Sequence, residues 1–161
     1  MTSADLKKAR PTRRLALLVA GFLGAWASTN LAGIAAASPA TDMMTQRIAA
    51  IGAGDVAGLA AAYAPQATLQ WVGGPLDGIY GDAGAINTVW SKFAKAQGID
   101  GQHKLQTRIV NLSEAGNPQG STVAADMVLT GAKPLKVHYV TVWRNNKLVD
   151  EIWQINPQAS Y

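Results

Sequence analysis

A chain of 161 residues with 14 Lys+Arg, 10 Asp+Glu and no cysteine has the size of one domain plus a short extra segment, and it excludes disulfides, thiolate metal sites and a cysteine nucleophile. The formal charge of +4 is unevenly placed: five of the 14 basic residues and one of the 10 acidic ones precede residue 38, leaving nine of each in the rest. No basic stripe is left to hold nucleic acid, and Lys92, Lys95, Lys104 and Arg108 read as scattered, solvated surface.

Lys7, Lys8, Arg10, Arg13 and Arg14 precede an uncharged, mostly apolar run from Leu15 to Ala27, and Ala35-Ala36-Ala37 offers a small-residue cleavage site before Ser38. This is the pattern of a secretory signal peptide. The competing reading is an uncleaved anchor, because the uncharged run continues to Ala40 and a membrane span takes about 20 residues. Gly21, Gly24, Ser28, Asn30 and Gly33 weigh against a spanning helix. Arg13-Arg14 also fits the twin-arginine export route. The expectation is an export signal over residues 1–37 and a single domain over 38–161, periplasmic or secreted in a bacterial cell, without a stable membrane anchor after cleavage.

The spacing of Met43, Met44, Ile48 and Ile51 predicts a helix with one apolar face, capped by Thr41 and stopped by Gly52 and Gly54. Asp55 caps a second helix that carries Val56, Leu59, Ala60 and Tyr63 and ends at Pro65. Ala67 to Val72 alternates as a strand broken by Gly73-Gly74-Pro75. Asp82 and Gly84 open a third helix with Ile86, Val89, Trp90 and Phe93 on one face, closed by Gly98. His103–Asn111, Ser121–Thr130, Leu135–Trp143 and Leu148–Ile155 read as strands, with a polar loop over Glu114–Gly120. Helices first and antiparallel strands afterwards predict an α+β domain with helices packed on one side of the sheet.

Gly54-Asp55, Tyr63-Ala64, Ala67-Thr68, Asp77-Gly78 with Gly81, and the final hairpin occur in an order that resembles the NTF2-like superfamily, and its SnoaL-like branch most closely. The resemblance spans about residues 41–156. It implies a curved, mostly antiparallel sheet wrapped as a cone around a small apolar pocket, no cofactor, and a homodimer formed through the outer face of the sheet. None of these landmarks is a catalytic signature. Ketosteroid isomerase, a member of that superfamily, needs an aspartate base, a tyrosine and a second acid. The matching positions here hold Trp71, Arg47 and Val140, so steroid isomerisation is not expected.

Asn145-Asn146 predicts a two-residue type I′ turn, since asparagine tolerates positive φ. An unbroken register from that turn sets Arg144 opposite Lys147, Val142 opposite Val149, Val140 opposite Glu151 and His138 opposite Trp153. One face then carries His138, Val140, Val142, Val149, Glu151 and Trp153. The other carries Tyr139, Thr141, Trp143, Leu148, Asp150 and Ile152. The resemblance makes the first face the inner one, and a one-residue slip would exchange the two.

On this register Glu151 is the candidate acid or base, desolvated by an apolar pocket, and His138 its diagonal partner. Trp71, Trp90, Phe93, Val140, Trp153 and Ile155 are the candidate pocket wall for a flat, apolar ligand. Asp77 lies at the expected pocket mouth, either facing a ligand or bonding its own turn. The alternative for Glu151 is a structural ion pair with Arg47, Arg108 or His138. Tyr63 reads as core packing. His103 and His138 have no carboxylate spacing that would hold a metal. The function classes open at this point are an acid–base enzyme, a binder of an apolar small molecule, and a protein-interaction module.

Overall fold

The computed structural model describes residues 38–131 and 134–161; the expected export signal lies outside them. Three helices precede or interrupt a six-stranded sheet: α1 (Pro39–Ala53), α2 (Val56–Ala62), β1 (Tyr63–Val72), β2 (Gly78–Tyr80), α3 (Ala83–Ala96), β3 (Gln106–Asn117), β4 (Gly120–Thr130), β5 (Leu135–Arg144) and β6 (Lys147–Ile155). The sheet order is β2-β1-β6-β5-β4-β3, antiparallel throughout except where β1 runs parallel to β6.

Each helix start is built from a side-chain oxygen that accepts an otherwise orphaned backbone N–H. Asp55 accepts from Gly58 N at 2.9 Å and Asp82 from Ala85 N at 2.8 Å. For α1 the cap is Ser38, which accepts from Thr41 N at 3.2 Å, so the helix starts earlier than a Thr41 cap predicts. Pro39 occupies its first turn, where a missing N–H costs nothing. Gly54 ends α1 in the left-handed conformation, φ 69°. A Cβ there would lie 2.6 Å from Ile99 Cγ2, so glycine meets both a conformational and a steric demand.

Strand boundaries differ from the sequence expectation in several places: β1 begins at Tyr63, expected inside the second helix, and β3 at Gln106 and not His103. The polar stretch Glu114–Asn117 is strand, paired Glu114↔Val123 through Asn117↔Gly120, with its side chains in solvent. Backbone hydrogen bonds hold such a ladder without any apolar alternation to announce it. Similarly, the three-residue β2 is held by pairing to β1 alone, Leu69↔Tyr80 to Trp71↔Gly78.

The final hairpin contains the main correction. Asn145 and Asn146 do form the turn, both with positive φ, and Arg144 does face Lys147. The ladder then shifts by one residue: Trp143 pairs Leu148, but Val142 pairs Asp150. Val149 is the extra residue of a β-bulge. Beyond it Thr141 faces Glu151, Tyr139 faces Trp153 and His138 faces Gln154. The inner face therefore carries Tyr139, Thr141, Trp143, Leu148, Glu151 and Trp153, all buried, while His138, Val140 and Ile152 lie on the outer face. Trp143 is correspondingly removed from the outer face, where the unbroken register puts it. Leu148, Glu151 and Trp153 can all point inward only if one residue between Leu148 and Glu151 is unpaired, and the bulge supplies it.

The core sits between the inner face of this sheet and the helices. From α1 it takes Met44, Ile48 and Ile51, and from α3 Ile86, Val89, Trp90 and Phe93. Arg47 shares the buried face of α1 at the i, i+3, i+4 spacing of Met44 and Ile48.

Candidate functional site

Five aromatic rings fill the centre of the concave face. Trp153 touches Trp71, Trp90, Phe93 and Tyr139 with ring centroids 5.2–5.6 Å apart. The arrangement follows from the strands: Trp71 and Trp153 are direct neighbours in the parallel β1–β6 pair, and Trp90 and Phe93 stand on the facing side of α3. Tilted and edge-on pairs of this kind contribute about 0.5–1.5 kcal/mol each beyond burial. Trp90 and Trp153 are 1% and 0% exposed, so these two rings form core and not an open pocket wall.

Beside the rings lies a charged network. Glu151 is 0% exposed and Arg47 4% exposed. Arg47 Nε donates to Glu151 Oε1 at 2.7 Å and Nη2 to Oε2 at 2.9 Å, a bidentate pair. Arg47 Nη1 donates to the Leu59 carbonyl at 3.1 Å. The hydroxyls of Tyr63 and Tyr139 donate one each to the two Glu151 oxygens. Trp90 Nε1 donates to the Tyr63 hydroxyl at 2.9 Å, and the Arg47 guanidinium stacks 4.5 Å from the Tyr63 ring centre. Burial by itself pulls the Arg47 guanidinium down; Glu151, followed by the two phenols, more than offsets this and holds it charged. Burial pushes both phenols upward, and the Glu151 carboxylate pushes them further. Of the three candidate partners for Glu151, the structure takes Arg47.

The raised phenols have a consequence at high pH. A group whose folded pKa lies above its unfolded value contributes stability below the unfolded value, near 10 for tyrosine, and that contribution is lost as pH rises further. Tyr63 and Tyr139 should therefore ionise only together with unfolding. Absorbance at the tyrosinate band, followed beside circular dichroism, should show a step coincident with unfolding, reduced in Tyr63→Phe and Tyr139→Phe. A step from these two residues completed while the fold is still intact would contradict the closed network.

His138 takes no part in it. Its Nδ1 sits 2.8 Å from Asp126 Oδ1 on the outer face, and Asn111 Nδ2 donates to the other Asp126 oxygen at 3.0 Å. Asn111, then His138, hold the Asp126 carboxyl below its ordinary value. The expected Glu151–His138 pairing is thus not formed, because the bulge puts the two side chains on opposite faces. Val140, expected in the pocket wall, is on the outer face for the same reason.

The aromatic cluster opens onto a cleft of about 430 Å³. It lies where β1 and β6 stop and β5 starts, along the last turns of α3. Trp71, Phe93 and Ile155 line it, together with Pro75, Leu76 and Leu135, and Lys92 and Ala96 of α3 complete it with Gln97 just beyond the helix. Three of the expected wall residues, Trp71, Phe93 and Ile155, thus share one cleft. Asp77 stays out of the lining; it accepts from Gly73 N at 2.6 Å and shapes the turn that delivers Pro75 and Leu76. Two buried polar atoms on the lining residues have no hydrogen-bond partner among the described residues: Trp71 Nε1 and Gln97 Oε1.

Known proteins place this architecture. No family model matches the chain, and no curated protein matches it. Solved structures do match. A protein of unknown function with a cystatin-like fold from Nostoc punctiforme PCC 73102 superposes with TM-score 0.60 at 13% identity, covering 75% of this chain and 91% of that one. An NTF2-like protein of unknown function from Pseudomonas putida KT2440 gives TM-score 0.59 at 11% identity, covering 71% and 82%. An NTF-2 like protein of unknown function from Burkholderia xenovorans LB400 gives 0.54 at 13%, covering 75% and 85%. The chain has the NTF2-like fold. Its three helices and mostly antiparallel, curved six-stranded sheet are those of the NTF2-like cone. At these identities the likeness concerns the fold alone, and one fold hosts many functions.

Sequence reasoning misses three participants. The unbroken register assigns Tyr139 to the outer face. Tyr63 reads as packing, whereas its hydroxyl bonds the carboxylate. Lys92 reads as plain surface, whereas it borders the cleft. A buried role for Arg47 is visible in the helical spacing it shares with Met44 and Ile48.

Proposed function

We propose that this NTF2-like domain binds a small, largely apolar molecule in the cleft beside α3 and does so without turning it over. The observation that carries the reading is the cleft itself: an apolar wall with Trp71 and Phe93 on one side, backed by a packed aromatic core that keeps it in shape. Preformed, mostly apolar concavities with a few polar groups are the usual form of small-molecule sites. Glu151 belongs to the scaffold in this reading. Both of its oxygens are occupied by Arg47 and a phenol, so a substrate proton would have to displace partners that stabilise a buried charge. Export to the periplasm or medium is part of the same proposal and rests on the residue pattern before Ser38. A second copy would meet the outer sheet face at Val140 and Ile152.

Equilibrium dialysis of the full chain against 1-naphthalenemethanol tests the site. The expected result is saturable binding with a Kd on the order of tens of micromolar, the range that apolar contact gives a probe of this size. Ala96→Phe fills the cleft from an exposed helical position and should abolish it. Absence of saturable binding would remove the ligand reading, and binding unchanged in Ala96→Phe would remove this cleft as its place.

A further inference from the structure

The cleft is not uniformly apolar: one charged side chain, Lys92, stands in its lining. Lys92 is the sole charged residue among the described residues that line it. No salt bridge or side-chain hydrogen bond engages Lys92 among the described residues; the ion pairs formed are Arg47–Glu151, His103–Asp100 and His138–Asp126. No carboxylate among the described residues pairs with its ammonium. Phe93 and Ala96 follow it at the i+1 and i+4 positions of α3, so the helix presents a cation and an apolar strip to the same cleft. Against Phe93, ring centroids 5.5 Å apart, stands Trp71, whose indole N–H has no acceptor among the described residues. Gln97 Oε1 is likewise buried without a partner among the described residues. One donor and one acceptor give no net preference, so the charge of Lys92 decides the ligand and calls for an anionic oxygen.

We propose that the ligand is an amphipathic carboxylic acid: a ring-bearing apolar body against Trp71, Phe93 and Ile155, with its carboxylate at Lys92. This deepens the binding reading above and rests on it. Lys92 supplies affinity as a point charge at the rim, so its share falls with ionic strength. Apolar contact supplies the rest and is common to acids and neutral analogues of the same shape. Selection for the acid therefore depends on Lys92, whereas occupancy of the cleft does not.

Comparing 1-naphthoate with 1-naphthalenemethanol at pH 7 on the full chain separates the two. The acid should bind about fivefold tighter at low salt, the size expected of a partly solvated charge pair, and the advantage should shrink in about 0.5 M salt. Lys92→Gln lies on an exposed helical position. It should erase the advantage, bringing the Kd values of acid and neutral probe together. Equal binding of both probes by the unaltered chain would overturn the acid and leave the cleft. An acid preference that survives Lys92→Gln would overturn the placement of the head group. Failure of both probes would overturn the cleft and the acid together.

Discussion

Glu151→Gln is expected to destabilise the domain by about 3–5 kcal/mol, because it leaves the Arg47 charge buried with no counter-charge. Arg47 is 4% exposed, and its remaining partners, the Leu59 carbonyl and two phenols, are neutral dipoles. A small domain holds only about 5–15 kcal/mol in all, so the variant should move far along a urea transition and lose solubility on expression. The pair itself is a different matter. Two charges removed from water are repaid by their mutual attraction only in part, and buried pairs replaced by apolar residues of similar volume are often neutral or stabilising. Arg47→Met with Glu151→Leu should therefore recover most of what Glu151→Gln loses. Midpoints of urea unfolding for the unaltered protein and the two variants decide it. A Glu151→Gln variant within about 1 kcal/mol of the unaltered protein would mean that the network is not the closed, charged unit described.

Trp153→Ala should be comparably severe, at about 3–5 kcal/mol. The ring is 0% exposed and is the one that touches all four other members of the aromatic cluster. Its loss removes buried area, leaves a void that the flanking strands cannot close, and frees the wall of the cleft to collapse. Two readouts should move together: the unfolding midpoint and probe binding at the cleft, even though Trp153 does not line it. Ile152→Ala, one position away on the outer face, should leave binding intact. A Trp153→Ala protein that unfolds early but binds the probe with unchanged Kd would show that the cleft does not depend on the core behind it.

The architecture is legible where local rules and tertiary structure agree. Asp55 and Asp82 announce two helices, and the apolar stripe of α3 announces its buried face. The asparagine pair announces the last turn, and these elements in order announce the cone. Legibility fails at one residue. Nothing in the alternation of Leu148, Val149, Asp150 and Glu151 marks Val149 as unpaired. An inner Trp153 is compatible with either register of β5, and only the partner strand decides which. That single bulge turns Tyr139 from an outer residue into a hydrogen-bond donor to Glu151 and sends His138 to the other side. The site is legible in its composition, in Trp71, Phe93, Ile155 and Glu151, and illegible in its grouping. Grouping depends on which residues face each other across a sheet, and a local pattern does not encode that.

The parallel pairing of β1 with β6 has an effect on how the molecule comes into being. The first long strand lies beside the last, in the middle of the sheet, and the Arg47–Glu151 pair spans 104 positions of chain. Such closure over long separations is slow. During synthesis, α1, α2 and β1 have no central neighbour until β6 has emerged. Removing β6 would therefore take out an internal strand of the sheet and not its edge. The apolar side of β1 would be left exposed for other chains to find.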